Sequence, residues 1–234
     1  MTMRTPGDDF DLVRGLLFTE GLIQSADDIG QMRYCDAGDA GETDYDNIVA
    51  VRMKSEVDWA GRQWQRTLMS GTSCGLCGKA ALDAVMSVAP RIEGEATVER
   101  STLSAMAESM RSRQPIFDRT GGLHAAGIFD VSGQCLGLFE DIGRHNATDK
   151  AIGRGVLEGW LGGGTQPGVV LLVSGRASFE ITQKALVAGI PIVASVSAAS
   201  TLAVDVAVAG NMTLVGFLRG SGMTVYAGAG RIRG

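Results

Sequence analysis

The second half of the chain alternates apolar runs with helical patterns, and this alternation restricts the possible folds more than any other feature. Three apolar runs have the length of buried strands: Val169–Val173, Pro191–Ser195 and Met212–Phe217. Three segments with helical spacing lie between or before them: 145–160, 178–188 and about 200–208. Strands that alternate with helices indicate an α/β protein whose sheet is mostly parallel and covered by helices.

Patterns in the first half add antiparallel strands and further helices to this core. Helices are predicted over Asp8–Ile23, 79–88 and Thr102–Arg113, and strands over Asn47–Lys54 and Gln63–Met69. A hairpin is predicted from Leu123–Val131 and Gln134–Glu140, turning at Ser132-Gly133. We therefore expect an α/β protein with a small N-terminal helix and strand subdomain in residues 1–70. Residues 71–234 form the predicted core, which begins with a thiol loop at 71–78 and carries the candidate site.

Charge and hydropathy exclude several classes of protein. The chain has 234 residues, a formal net charge of −5 and a sequence pI near 5.1, which argues against general binding to nucleic acid or to an anionic membrane surface. The first residues lack the apolar core of a signal peptide, and no apolar run approaches the roughly 18 residues of a membrane span. We expect a cytoplasmic protein, in which thiols stay reduced.

The sequence Cys74-Gly-Leu-Cys77-Gly is the strongest candidate for chemistry. Two thiols at this spacing bind a metal or carry out sulfur chemistry. The loop is rich in glycine and precedes the predicted helix, whose positive end favours the thiolate, as does Lys79 in its first turn. Small neighbours leave the sulfur accessible to a large partner. Sulfur chemistry at Cys74 and Cys77 is the favoured interpretation.

A catalytic zinc site is the competing interpretation of the same cysteines. Cys74, Cys77 and His124 would supply the three protein ligands that catalytic zinc requires. Nucleobase deaminases use such a set, with a glutamate two residues after the histidine and a proline before the first cysteine. Here Ala126 occupies the glutamate position, Ser73 precedes Cys74, and the cysteines come before the histidine. The residue needed for proton transfer is therefore missing from its expected place.

Three segments at the ends of predicted strands are candidates for binding an anion. Ser174-Gly-Arg176-Ala-Ser178 joins a strand to a helix and could hold a phosphate on helix N–H groups, although a plain capped turn fits equally well. Arg144, His145 and Asn146 lie in a polar junction that could recognise a nucleotide, or could be structural. Arg219 lies in a glycine loop and is either an anion contact or a surface arginine in a turn.

Seven motifs in order resemble one known family. They are Thr5-Pro-Gly-Asp-Asp, Thr19-Glu-Gly-Leu-Ile, Cys74-Gly-Leu-Cys-Gly, Gly121-Gly-Leu-His-Ala-Ala, Glu140-Asp-Ile-Gly-Arg-His-Asn, Ser174-Gly-Arg-Ala-Ser-Phe-Glu and Leu214-Val-Gly-Phe-Leu-Arg. Together they cover nearly the whole chain and resemble the formate dehydrogenase accessory sulfurtransferases of the FdhD/NarQ family. Members of this family usually carry some tens of residues before the Thr-Pro-Gly-Asp motif. Here the motif starts at Thr5, so the extension is apparently absent: either the N-terminus is shorter or the sequence is incomplete.

The resemblance implies a fold and a function. The fold would be similar to cytidine deaminase, a mixed sheet covered by helices. The protein would be a sulfurtransferase that accepts sulfur from a cysteine desulfurase as a persulfide on Cys74, with Cys77 assisting or resolving. It would pass the sulfur to the bis-guanine-dinucleotide molybdenum cofactor before that cofactor is inserted into formate dehydrogenase. A homodimer without structural metal, nucleic acid or membrane contact is expected.

The resemblance also assigns the cofactor contacts to one segment. Its residues are Phe217, Leu218, Arg219, Gly220, Ser221 and Gly222. A GDP-like guanine nucleotide is expected to fit the same site, and Arg176 and His145 are added to it from the local patterns. Two alternatives remain: a chaperone that binds the cofactor and formate dehydrogenase without carrying sulfur, and a zinc-dependent hydrolase related to the deaminases.

Overall fold

A six-stranded sheet lies at the centre of the computed structural model, which describes residues 2–35, 47–55, 82, 83, 85, 86, 89, 91–162 and 168–234. Within these residues the helices are α1 (Asp9–Thr19), α2 (Arg100–Ser112), α3 (Pro115–Thr120), α4 (Arg144–Leu157), α5 (Phe179–Val187) and α6 (Thr201–Ala209). The strands are β1 (Ile29–Tyr34), β2 (Val49–Met53), β3 (Val98–Glu99), β4 (His124–Asp130), β5 (Cys135–Asp141), β6 (Val169–Val173), β7 (Ile192–Ser195), β8 (Thr213–Arg219), β9 (Gly222–Ala227) and β10 (Ile232–Arg233).

The central sheet is mixed, in the order β5-β4-β6-β7-β8-β9. Only the β6–β7 and β7–β8 pairs are parallel, and the other three pairs are antiparallel. The expectation of a mostly parallel sheet was therefore wrong, because the hairpins β4–β5 and β8–β9 extend both sides of the parallel centre. The mixed α/β class itself is confirmed, as is the hairpin predicted around Ser132-Gly133.

Both faces of the sheet are buried, which explains the unbroken apolar run of β6. Leu171 and Val173 point to the face covered by α1, α4, α5 and α6, whereas Val170 and Leu172 point to the face covered by α2. All four side chains are at most 3 % exposed. A strand buried on both faces has no solvent side, so it shows no alternation of polar and apolar residues.

Helix α1 packs against α4 so closely that their backbones touch. A Cβ placed on Gly15 would overlap the backbone of Asp149, and one placed on Gly153 would overlap the carbonyl of Asp11. The Asp11 carboxylate also binds Arg14 at 2.6 Å and Arg154 at 2.7 Å. Helix α1 is thus fixed against the helix whose first turn contains Arg144 and His145.

Most predicted elements of the second half are found within a few residues of their expected bounds. The predicted strand Gln63–Met69 lies outside the described residues, and of the predicted helix at 79–88 only residues 82, 83, 85 and 86 are described, all helical. Strands β1, β3, β9 and β10 and helix α3 were not predicted. Among the described residues, no helix combines the length and the apolar character that crossing a membrane requires.

Candidate functional site

The candidate segments meet at one edge of the sheet. β6, β7 and β8 run parallel, so their carboxyl ends lie together, followed by Ser174, Val196 and Gly220. β4 is antiparallel to β6, so its first residue, His124, lies at the same edge and pairs with Asp141 at the end of β5. Ligands of open α/β sheets bind at such carboxyl edges, because loops and helix starts converge there.

Hydrogen bonds hold the loops after β6 and β7 in place. The buried Ser195 hydroxyl donates to the Gly175 carbonyl at 2.6 Å, and the Ala177 N–H donates to the Ala198 carbonyl at 3.1 Å. The Ser174 hydroxyl accepts from the Ala125 N–H at 2.8 Å. Ser178 occupies the capping position of α5 without a side-chain capping bond, although the sequence made it a good capping residue. These loops form a fixed rim.

A cavity of about 550 Å³ opens at this edge. One wall comes from Leu218, Arg219 and Gly220 at the end of β8, and another from α2 and α3. The floor includes Ser174, Val196 and the Gly121-Gly-Leu-His124 motif. The Arg219 Nε donates to the carbonyl of Val196, another lining residue, at 3.3 Å. A cavity of this size matches the usual range for small-molecule sites.

The structure brings together only some of the predicted cofactor contacts. Leu218, Arg219 and Gly220 line the cavity, whereas Phe217, Ser221, Gly222, Arg176 and His145 lie at the same edge without lining it. Arg176 and Ser221 are exposed. Of the predicted contact residues, those at 218–220 line the cavity and the others lie near it at the same edge of the sheet.

Phe217 has an unusual backbone. Its φ is +52°, a region that residues with a side chain rarely adopt, and its side chain is 48 % exposed. The Phe217 N–H donates to the Ser197 carbonyl at 3.0 Å, and the β8–β9 pairing is irregular between Gly216 and Arg219. Such strained positions persist where the surroundings enforce them, and they cluster at functional sites.

Two histidines and an arginine form a cluster beside the cavity. The pKa of His124 is lowered, chiefly by burial and to a smaller extent by the nearby Arg144 and His145, which favours a neutral imidazole. A Cβ on Gly175 would lie 3.1 Å from His124 Nδ1, so the glycine lets the β6 loop approach the ring. His145 Nε2 lies 3.7 Å from the Glu180 carboxylate, and His145 is the main cause that lowers the pKa of Glu180 to about 2.

The polar Glu140–Asn146 motif is largely structural. Asp141, which is 0 % exposed, binds Lys150 at 2.9 Å and accepts from the Thr5 N–H at 3.0 Å. Asn146 donates to Asp141 at 3.0 Å and to the Met3 carbonyl at 2.6 Å. The suggestion that Asn146 recognises a nucleotide is therefore not supported, because its amide fastens the N-terminal segment to α4.

Glu140 fixes the start of α3 in the cavity wall. Its carboxylate accepts from the Ile116 N–H at 2.9 Å and from the Phe117 N–H at 2.7 Å. These are N–H groups of the first helical turn, which lack partners within a helix. Gln114, just before this helix, lines the cavity and was missed by the sequence reasoning. One feature of the sequence could have drawn attention to Gln114: it occupies the capping position of a helix, where shorter polar residues are preferred.

Cys74 and Cys77 lie outside the described residues. The structure therefore tests neither the predicted place of these cysteines at the site nor a zinc site that combines them with His124. Within the described ranges, no group of three or more histidine, cysteine, aspartate or glutamate side chains could hold a metal ion.

Comparison with solved structures identifies the class of fold. The structure is similar to that of a protein from Desulfotalea psychrophila described as a putative formate dehydrogenase accessory protein, with a TM-score of 0.73 and 21 % identity. The match covers 99 % of this chain and 83 % of that chain. At this identity the likeness establishes the fold.

Comparison of sequences identifies the family. The FdhD/NarQ family model matches residues 1–233, so this chain belongs to the FdhD/NarQ family, as the seven motifs predicted. Proteins named sulfur carrier protein FdhD are 47 % identical in Streptomyces avermitilis and 48 % identical in Mycobacterium tuberculosis. Both matches span 99 % of this chain and 82 % and 85 % of the relatives, respectively. A relative of the same name from Anaeromyxobacter dehalogenans is 41 % identical.

Proposed function

We propose that this protein is a sulfur carrier that supports formate dehydrogenase. It accepts sulfur from a cysteine desulfurase as a persulfide on Cys74 and delivers it to the bis-guanine-dinucleotide molybdenum cofactor, which is its substrate. Family membership, the names of its relatives and the glycine-rich Cys74-Gly-Leu-Cys77 sequence support the sulfur-carrying part.

The cavity at the carboxyl edge of the sheet is the observation that carries the cofactor-binding part. A guanine nucleotide arm has a planar base and a charged phosphate, and the cavity lining includes Phe117 and Gln114 as well as Arg219. Gly220 leaves the backbone beside Arg219 open to a phosphate, since nothing lies within 4 Å of a Cβ built there. Arginine forms charged hydrogen bonds with phosphate oxygens, so we place the phosphate at this end.

Sulfur moves through two successive thiolate attacks. The Cys74 thiolate attacks the outer sulfur of the desulfurase persulfide, forms a Cys74 persulfide and releases the desulfurase thiolate. Attack of the Cys77 thiolate on the inner Cys74 sulfur then forms a disulfide between the two cysteines. This step releases the outer sulfur as sulfide to the metal. A cellular dithiol reductant restores both thiols.

Two further expectations belong to this proposal. A cysteine desulfurase as sulfur donor fits a cytoplasmic protein that exchanges sulfur with soluble partners. A homodimer would give two cavities, one for each guanine arm of the cofactor. Sedimentation of the purified protein tests the dimer, which a single species of about 24.5 kDa would contradict.

Intact-protein mass spectrometry tests the sulfur-carrying step. The wild type, Cys74→Ala and Cys77→Ala are incubated with a cysteine desulfurase and cysteine. The wild type and Cys77→Ala should gain about 32 Da per sulfur, mapped to Cys74, and Cys74→Ala should gain none. Equal loading of all three proteins would contradict a persulfide on Cys74. Absence of loading together with retained zinc in the native spectrum would favour the hydrolase alternative.

A further inference from the structure

We propose that Gln114 reads the hydrogen-bonding edge of a planar nitrogen heterocycle bound in the cavity. This inference rests on the proposed function, which makes guanine or the chemically similar pterin the expected heterocycle. Both carry a ring N–H next to a carbonyl. The sequence reasoning assigned no role to Gln114, and the predicted contacts that line the cavity, Leu218, Arg219 and Gly220, lie at the end of β8.

Gln114 is largely buried, and its carboxamide has no hydrogen-bond partner among the described residues. Gln114 is 3 % exposed and lines the cavity. Its carboxamide forms no hydrogen bond with any residue in the part of the chain that the structure describes; only its backbone carbonyl is used, by the Asp118 N–H at 3.0 Å. Its amide atoms are not among the fully buried atoms that lack a partner, so they keep some accessible surface. An amide at the cavity with no protein partner is therefore available to bond a ligand.

The chemistry of the amide matches such an edge. A carboxamide presents one acceptor oxygen beside two N–H donors. The ring N–H and carbonyl of guanine or pterin form the complementary pair, so two parallel hydrogen bonds can form. Glutamine side chains recognise base edges in this two-bond manner, which makes a fixed glutamine a reader of the heterocycle rather than of the phosphate.

Neighbouring groups on the same wall favour a base over a phosphate. Phe117 lines the cavity next to Gln114, and an aromatic side chain can stack on a flat ring. Arg111 lies 5.2 Å from the centroid of the Phe117 ring and is paired with Asp118 at 2.7 Å, so its charge is already partly neutralised. The Glu108 carboxylate on this wall would repel a phosphate.

Helix α3 holds this wall rigid. Pro115 occupies its first position, and Gly121 ends it with φ +67°. Glu140 binds both the Ile116 and the Phe117 N–H groups. A proline start and a left-handed glycine end are favourable for a short helix. Gln114 and Phe117 are therefore positioned before any ligand arrives, which reduces the entropy lost on binding.

Equilibrium binding to three probes tests the inference. GMP carries guanine and phosphate, neopterin carries a pterin without phosphate, and ribose 5-phosphate carries no base. The variant is Gln114→Leu, and the matched control is Gln134→Leu, which changes an exposed glutamine in the β4–β5 turn. Gln114→Leu should weaken the binding of GMP or neopterin by about tenfold or more, because a contact of two hydrogen bonds is lost. Binding of ribose 5-phosphate should stay within about twofold.

The pattern of losses identifies the source of the heterocycle. A loss for GMP alone assigns guanine, and a loss for neopterin alone assigns pterin. Arg219→Gln should show the converse behaviour, with parallel losses for GMP and ribose 5-phosphate. Unchanged GMP and neopterin binding in Gln114→Leu, or no binding of either heterocycle to the wild type, would overturn the inference.

A wild-type experiment protects the test against misfolding of the variant. GMP is compared with 1-methyl-GMP, and neopterin with 3-methylneopterin, since each methyl group blocks the ring N–H. Methylation should weaken the binding of the heterocycle that occupies the cavity by about tenfold. Equal affinity for the methylated and unmethylated probes would overturn the inference. Sulfur loading of Cys74 is measured separately by mass, so a failure at Gln114 and a failure of the sulfur carrier are distinguishable.

Discussion

Asp141→Asn should strongly destabilise the protein, because it removes the negative partner of a buried ion pair. The Asp141 carboxylate and the Lys150 ammonium are 0 % and 1 % exposed, and their Oδ2 and Nζ atoms lie 2.9 Å apart. Asparagine keeps the shape of the side chain but leaves the ammonium buried without a counter-charge. Breaking one partner of such a pair costs about 3–5 kcal/mol. That is a large part of the 5–15 kcal/mol or so that holds a typical domain folded.

Three further hydrogen-bond donors to Asp141 place the expected loss of stability in the upper part of the range of about 3–5 kcal/mol. The Thr5 and Gly143 N–H groups and the Asn146 amide all donate to the Asp141 carboxylate. Asparagine has one acceptor oxygen in place of two, so its NH2 group faces at least one of these donors. The free energy of unfolding should therefore fall by about 4 kcal/mol, since hydrogen bonds to a charged acceptor are lost with the ion pair.

Urea unfolding followed by tryptophan fluorescence measures this effect. Asp118→Asn is the matched control, because Asp118 pairs with Arg111 at 2.7 Å but is 52 % exposed. An exposed pair contributes about 0–1 kcal/mol, so this variant should stay close to the wild type. A loss below about 1 kcal/mol in Asp141→Asn would refute the buried-pair reasoning. Adding Lys150→Met to it should restore part of the stability, because the unpaired charge is removed.

Two further predictions test the packing of α1 and the charge of Glu180. Gly153→Ala should lose about 1–3 kcal/mol of unfolding free energy, because its methyl group overlaps the Asp11 carbonyl. Gly230→Ala, with open space around it, should be nearly neutral, and equal effects of the two changes would contradict the close packing. The pKa of Glu180 is lowered to about 2, chiefly by His145, so its stabilisation is present above about pH 4.5 and disappears towards pH 2. Since this carboxylate is 36 % exposed, Glu180→Gln should remove less than about 1 kcal/mol of acid-dependent stability, and an unchanged slope between pH 4.5 and 2 would contradict the pair.

Sequence patterns were sufficient for the centre of the fold but not for its borders. The run Val169–Val173 identifies a buried strand, since burial of both faces leaves a continuous apolar signature. The antiparallel placement of β4 beside β6 depends on pairing between Ala126 and Val173, which are far apart in sequence. No local pattern carries that information. Strand β9 was missed because its residues alternate between exposed and half-buried without a strong apolar signal.

The site shows the same limit at the level of single residues. Sequence reasoning found Arg219 and the glycine loop around it because arginine and glycine at a strand end have a direct chemical meaning. It overestimated Asn146, whose partners include Met3, and it missed Gln114, whose significance is the absence of a partner among the described residues in a buried place. Long-range hydrogen bonds decide both cases, and they exist only once the chain is folded.

Transfer of labelled sulfur tests the central claim most directly. The wild type and Cys74→Ala are incubated with desulfurase and radiolabelled cysteine and freed of excess label. Each is then mixed with the free cofactor lacking its sulfur ligand and with cofactor-free formate dehydrogenase. GMP binding by Cys74→Ala serves as the folding control. A sulfur carrier predicts label on the cofactor and recovered formate oxidation with the wild type, and neither with Cys74→Ala. Equal recovery of activity with Cys74→Ala would contradict the sulfur carrier and establish a cofactor-binding chaperone in its place.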